Sequence, residues 1–399
     1  MRTYDLVREL ELSVEEDELE GLSAEVSSGF TRRTTIVHLR GAGHEGRGED
    51  TTYSEAEQLA FQQARTVLPV TGSHTIESFS ALFQEMDSHR RWGVESAALD
   101  LALRQAGRPL WEVLGREPHP VTFVSSLRLG DPPSIERVRR RLELYPSLRL
   151  KLDPTSDWDE RLVAELAETG AVDSVDLKGA YKGTIVDQEP DPRLYRLVAE
   201  GFPDAWIEDP ALTPETEPVL APYHDRITWD APIHSVADIE ALPFPPRTIN
   251  IKPSRFGSIE ALFDTYDYLE AKGIGAYGGG QFELGVGRCQ NQYLASLFHP
   301  DAPNDIAPTP YNENELRPGL PESPLEPAPS ATGFDWPRSA CRQVSRSAWS
   351  EAAFVAAWEI HPPLPSWLRP LLLKKTNARS APSASSRRGP ASSRSSSSE

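Results

Sequence analysis

The sequence predicts an α/β protein: a parallel (β/α) barrel preceded by an α+β segment. Three observations carry that expectation. The chain has 399 residues, 38% of them hydrophobic, enough for a large core. From residue 121 onwards, short apolar strand candidates alternate with helical patterns at a spacing close to one βα unit. No Gly-x-Gly-x-x-Gly follows a first strand, and the cluster Gly278-Gly279-Gly280 comes too late for a dinucleotide-binding open sheet, the competing architecture.

Residues 6–12 and 34–39 read as strands, with 41–50 as a charged, Gly-rich turn. Three helices follow. The first, 54–66, opens on Ser54 with Glu57 three residues later, a capping-box arrangement. The second, 75–86, carries Phe79, Leu82 and Phe83 at helical spacing, and the third, 94–103, gathers Ala98, Leu99, Ala102 and Leu103 on one face before Gly107. Strand candidates then fall at 121–126, 147–152, 175–178, 205–208, 227–230, 248–252, 274–278 and 305–307. Helical patterns at 159–168, 192–200, 258–272 and 286–297 lie between them. The expected organisation is an α+β domain at 1–115, a barrel at 120–310, a Pro-rich segment at 311–337 that runs back towards the first domain, and a basic, Ser-rich tail at 338–399. The tail's composition cannot bury enough apolar surface to order itself, so disorder is expected there.

Charge and composition narrow the partners. The net charge is −19, and the tail holds ten Arg or Lys against three Glu, which leaves −26 on the rest. Such a body repels phosphate backbones, so nucleic acid is not an expected partner. No apolar run approaches the roughly 20 residues of a membrane span. The amino-terminal residues turn acidic by Glu9 with no apolar signal core, so a cytoplasmic protein is expected. Cys289 and Cys341 are too few for a disulfide framework or a zinc site.

Barrel active sites lie at the C-terminal strand ends, where this chain places Lys151, Asp176, Glu208, Asp230 and Lys252 on successive strands. The intervals of 25, 32, 22 and 22 residues each approximate one βα unit. Three converging carboxylates repel one another unless a cation holds them, and hard oxygen donors suit Mg²⁺, with Mn²⁺ as the substitute. Two lysines on opposite sides of that ion can act as bases once burial or neighbouring positive charge lowers their pKa. A small carboxylate substrate held between them loses its α-proton, and the enediolate dianion is stabilised by the metal.

These residues resemble the enolase superfamily, in its muconate-lactonizing-enzyme and mandelate-racemase-like branch with the o-succinylbenzoate synthases, dipeptide epimerases and N-acylamino acid racemases. The resemblance spans 1–337 and includes Gly46-Arg47-Gly48-Glu49, Glu95 to Ala102 with Pro109 to Gly115, Arg149-Leu150-Lys151, Ile249-Asn250-Ile251-Lys252-Pro253 and Gln281 to Gly287. It implies a modified (β/α)₇β barrel with an N-terminal capping domain and the substrate at their junction. It also implies catalytic Lys151 and Lys252, metal ligands Asp176, Glu208 and Asp230, a carboxylate-steering Arg149 and a site-facing Glu283. Phe30 and Arg32, in the loop at 27–33, fall where the family closes over its substrate. The expected outcome is racemisation or epimerisation, by an isomerase that can be homo-oligomeric. β-Elimination of water and cycloisomerisation are the alternatives, and a non-catalytic scaffold is the alternative from another class. Three positions depart from the pattern. Asp176-Leu177-Lys178 stands for Asp-x-Asn, its lysine either altering the site's charge or pointing outward. Asp230-Ala231 stands for Asp-Glu, and the eighth strand has no Asp-x-Asp, which lowers the rank of dipeptides.

Overall fold

The computed structural model describes residues 1–26, 30–63, 68–183 and 186–336. The tail at 338–399, the loop residues 27–29 and the last turn expected for the first helix lie outside them. In the N-terminal part, β1 (Glu11–Val14) pairs antiparallel with β5 (Gly72–Thr75), while β2 (Glu16–Glu25), β3 (Thr31–Gly41) and β4 (His44–Asp50) form an antiparallel sheet with β3 in the middle. The helices are α1 (Glu55–Gln63), α2 (Ile76–Ser80), α3 (Ser88–Gln105) and α4 (Leu110–Leu114).

Of the expected turn at 41–50, Ala42 and Gly43 reverse the chain, both at positive φ, and 44–50 form a strand, β4. Its glycines serve close packing rather than chain reversal: a Cβ on Gly46 would lie 2.3 Å from the Ala97 carbonyl oxygen, and one on Gly48 2.1 Å from that of Gly93. Only bare backbone lets β4 press so closely on α3. That helix is longer than its apolar run, because Asp87 caps it by accepting from the His89 amide at 3.0 Å. From Trp92 to Leu103 it is buried throughout.

The second part begins with the parallel strands β6 (Val124–Leu127), β7 (Arg149–Leu152), β8 (Val172–Asp176), β9 (Trp206–Glu208) and β10 (Ile227–Thr228), neighbours in chain order. A further parallel pair is β11 (Thr248–Ile251) with β12 (Gly275–Gly278). Single bonds complete the ring. The Asn250 amide donates to the Trp229 carbonyl at 2.9 Å, Gly279 bridges to Asp305, and Asn304 bridges to Phe123 beside β6. The result is the (β/α) barrel read from the alternation, with 304–307 as its eighth staves.

Around it run α5 (Glu136–Leu144), α6 (Glu160–Glu168), α7 (Pro192–Gly201), α8 (Glu217–Leu220), α9 (Val236–Glu240), α10 (Pro253–Phe256), α11 (Ile259–Lys272) and α12 (Val286–Phe298). Local chemistry sets their starts: Asp159 accepts from Leu162 N, Asp191 from Arg193 N and Leu194 N, and Ser258 from Ala261 N. Among the described residues no helix is long and apolar enough to cross a membrane. Along the Pro-rich stretch, Leu325 bridges to Val121, Gly333 bridges to Pro109, and Asp335 pairs with Arg47 at 2.7 Å and Arg104 at 3.0 Å.

Candidate active site

Asp176 and Glu208 are the last residues of β8 and β9, and Asp230 follows β10 by two residues. All three carboxylates are fully buried, and one ligand atom from each lies within 4.8 Å of the others. Uncompensated, such a set would be very costly. The compensation comes from lysines. Lys151, third residue of β7, bonds Glu208 Oε1 directly and lies 3.1 Å from Asp176 Oδ2 and 3.4 Å from Asp305 Oδ2. Lys252, immediately after β11, donates to Asp230 Oδ2 at 2.7 Å. The five strand-end residues therefore share one centre, with one lysine on the Glu208–Asp176 side and the other on the Asp230 side.

Further residues hold this centre in shape. Arg255, on α10, donates to Asp230 Oδ1 at 2.6 Å, and the Tyr181 hydroxyl donates to Asp230 Oδ2 at 2.7 Å. Asp209 takes the Asp230 and Ala231 amides on its two oxygens, both at 2.8 Å. The Tyr277 hydroxyl donates to Glu208 Oε2 at 2.5 Å. Lys178 bonds Asp176 Oδ2 directly and lies 3.5 Å from Asp153. Sequence reading missed Arg255, Tyr181, Asp209, Tyr277 and Asp305. Asp209 and Arg255 carried a signal, one adjoining Glu208 and the other three residues after Lys252. Tyr277 carried none.

Burial disfavours every charged form here, and the neighbours decide the outcome. For Lys151, Glu208, Asp176 and Asp305 outweigh burial and hold the ammonium well above the usual lysine range. For Lys252, burial outweighs Asp230, with Arg255 and Lys151 adding to it, and its pKa falls below the usual value. Burial of Asp176 is outweighed by Lys178 and Lys151, and burial of Asp230 by Arg255 and Lys252, so both carboxyls stay below the ordinary range. Glu208 moves up, because burial together with Asp176 and Asp230 exceeds the pull of Lys151. Burial, then Asp230 and Asp176, raise Asp209 to about 7.

Four candidates take other places. Arg149 does not reach the centre. The β7–β8 ladder passes from Leu150↔Val172 to Lys151↔Ser174, skipping Asp173, and Arg149 closes on that skipped residue and on the Gly170 carbonyl. Asp173 stands three residues before Asp176 along β8, roughly 10 Å at strand rise. Arg32 is buried, and its guanidinium clamps the Thr51, Thr52 and Gln281 carbonyls. Glu283 accepts from Gln281 N at 2.7 Å and Asn291 at 3.0 Å and pairs with Arg288 at 2.9 Å, which shapes the loop after β12. Phe30 meets that loop edge-on at Phe282, with ring centroids 5.7 Å apart.

The donor set fits a hard divalent cation. Oxygens sharing a Mg²⁺ ion at its bond length stand roughly 3 to 4 Å apart, so this cluster needs only a slight contraction. All three donors are carboxylate oxygens, and the adjoining lysines can leave as the ion's charge replaces theirs.

Comparison with known proteins covers most of the chain. Residues 5–113 match the family described as domain of unknown function (DUF8230) N-terminal domain, and 117–313 match its C-terminal domain. An N-succinylamino acid racemase of Thermus thermophilus is 28% identical over 309 residues, 71% of this chain and 81% of that protein. An o-succinylbenzoate synthase of Enterococcus faecalis is 26% identical over 289 residues, 67% of this chain and 76% of that one. The structure of a dipeptide epimerase from Methylococcus capsulatus, complexed with Mg ion, superposes with a TM-score of 0.60 at 20% identity, covering 82% of this chain and 100% of that one. At that identity the likeness is one of fold.

Proposed function

Because the chain belongs to the enolase superfamily, in its muconate-lactonizing-enzyme-like branch, and is an enzyme of that superfamily, we propose that it removes the α-proton of a small carboxylate and returns it on the opposite face. The single observation that carries this reading is the placing of Lys151 and Lys252 on two sides of the Asp176–Glu208–Asp230 cluster. One lysine takes the proton from the α-carbon while the other, as an ammonium, delivers a proton to the far face of the planar enediolate. Asp176, Glu208 and Asp230 are the residues that would hold Mg²⁺. When bound, a divalent cation supplies positive charge opposite the oxygens on which negative charge develops. Arg255, Tyr181 and Asp209 keep Asp230 oriented, and Tyr277 does the same for Glu208.

The favoured substrates are N-acylated α-amino acids, a class supported by the racemase relative. In this reading residues 1–115 form the capping domain, and Phe30 and the Glu283 loop form the rim that meets the substrate. Dehydration is the second reading, favoured by the o-succinylbenzoate synthase relative. The scaffold alternative falls with the enzyme relatives.

Deuterium incorporation separates these readings. With Mg²⁺ in deuterated water, N-succinyl amino acids should lose their α-proton signal and their optical activity. Lys151→Ala and Lys252→Ala should each abolish interconversion, while each still exchanges the enantiomer whose proton faces the surviving lysine. An elimination instead leaves one variant without exchange and the other slowed but active. Wild-type exchange in both variants would overturn the assignment of the lysines.

A further inference from the structure

Lys178 is the residue that the proposed reaction leaves unexplained. It stands two positions after Asp176, where the resemblance leads one to expect asparagine. Its backbone adopts φ +55°, the left-handed region, which asparagine tolerates far better than lysine. Despite that disfavoured backbone, the side chain folds inward rather than out to solvent, 14% exposed. Both oxygens of Asp176 are engaged by this one residue: the Lys178 amide donates to Oδ1 at 3.1 Å and its ammonium bonds Oδ2. The ammonium has a second place to go. Asp153 Oδ1 is 3.5 Å away, and the Tyr181 ring centroid lies 5.3 Å from the nitrogen.

We propose that Lys178 is a tethered cation that competes with the divalent metal for Asp176, so that metal binding requires the ammonium to swing from Asp176 to Asp153. This rests on Asp176 being a metal ligand. Lys151 and Lys252 also touch the carboxylates, but their place in the chemistry accounts for them. Lys178 has no such role, and its effect is to weaken the site's hold on a cation.

The test is metal binding without substrate. The full chain, stripped with chelator, is titrated with Mg²⁺ by calorimetry and with Mn²⁺ by paramagnetic resonance, alongside Lys178→Asn, Lys178→Gln and Glu208→Gln. Asparagine suits the left-handed backbone, so Lys178→Asn should fold, and circular dichroism checks it. Removing a charge-assisted bond to Asp176 should tighten both metals by about tenfold or more in the Lys178 variants. Equal or weaker binding in both Lys178 variants, with Glu208→Gln still weakened, overturns the competition while leaving the metal site standing. Unaltered affinity in Glu208→Gln overturns the metal-site reading itself, and the competition with it.

Discussion

Among the described residues, two sets of fully buried carboxylates differ in how they are held. At the strand ends, Asp176, Glu208 and Asp230 each meet a lysine ammonium. Around α3 and β4, the partners are backbone amides and guanidiniums. Glu49 accepts from Leu284 N at 2.7 Å and Gly287 N at 2.8 Å and so caps the start of α12. Asp100 takes Phe334 N at 2.7 Å and Arg47 N at 3.0 Å, and Glu95 takes Ile259 N at 3.0 Å. Each of these ties segments more than fifty residues apart. Burial is the same in both sets, so burial does not distinguish them. A backbone amide cannot leave without unfolding the segment that carries it, whereas a lysine on its flexible stem can yield to an incoming cation. What sets the strand-end cluster apart is a lysine on every carboxylate, a partner that can be displaced, although Asp230 also takes the Arg255 guanidinium and Asp176 the Lys178 amide.

The contrast can be broken or sharpened by substitution. The largest effect is expected at the lysines: Lys151→Ala and Lys252→Ala should each lower interconversion, and exchange of the enantiomer whose proton faced the lost lysine, by at least roughly 10²- to 10⁴-fold. Their unfolding midpoints in saturating Mg²⁺ should change little, and a large loss of stability there would place these lysines with the architecture. Next, Glu208→Gln should reduce Mg²⁺ affinity and turnover together while leaving the denaturant midpoint without metal nearly intact.

Glu49→Ala should behave in the opposite sense. The Leu284, Gly285 and Gly287 amides at the head of α12 lose their acceptor, at a cost of about 2 kcal/mol or more in chemical denaturation. Calorimetric Mg²⁺ affinity should not move. A drop in metal affinity with no loss of stability would erase the distinction.

A further effect concerns pH. His299 is held between the Tyr266 hydroxyl at 3.0 Å and Asn304 Oδ1 at 2.7 Å, and burial lowers its pKa to about 4. A depressed histidine favours the neutral folded form. Its contribution is intact above the unfolded value near 6.5 and is lost as pH falls towards 4, on the order of a few kcal/mol. His299→Gln should flatten that part of the stability profile, read from urea midpoints between pH 7 and 4. An unchanged slope would assign the acid sensitivity to other groups.

Not every element was equally legible. The helices α6, α7 and α11 follow their apolar period closely, because one face of each is buried, whereas α12 is buried all round from Val286 to Leu297. Strand β2 was missed, since its Glu-rich sequence leaves most positions only half-buried and blurs the alternation. Helix α5 was missed because Glu-Arg-Val-Arg-Arg-Arg-Leu-Glu-Leu offers little apolar stripe, and Val138 and Arg141 are its buried positions. In β4 the glycines masked the strand, their reason being the helix pressed against them.

The sequence by itself determined the alternation, and with it the strand ends on which Lys151, Asp176, Glu208, Asp230 and Lys252 stand. In a parallel barrel every strand runs the same way, so residues at one end of each strand converge wherever the strands occur in the chain. Side-chain direction was decided only by the tertiary structure. Arg149 and Lys151 are two residues apart, yet one closes on Asp173, the residue that the β7–β8 ladder skips, and the other on Glu208. Glu283 turned into its own loop, Arg32 became a clamp, and Lys178 folded onto Asp176. Each of these outcomes depends on which charge or carbonyl lies within a few ångströms, and for Arg32 and Lys151 that partner sits 249 and 57 residues away along the chain. Periodicity reports which face an element buries; it carries no record of what waits on the other side.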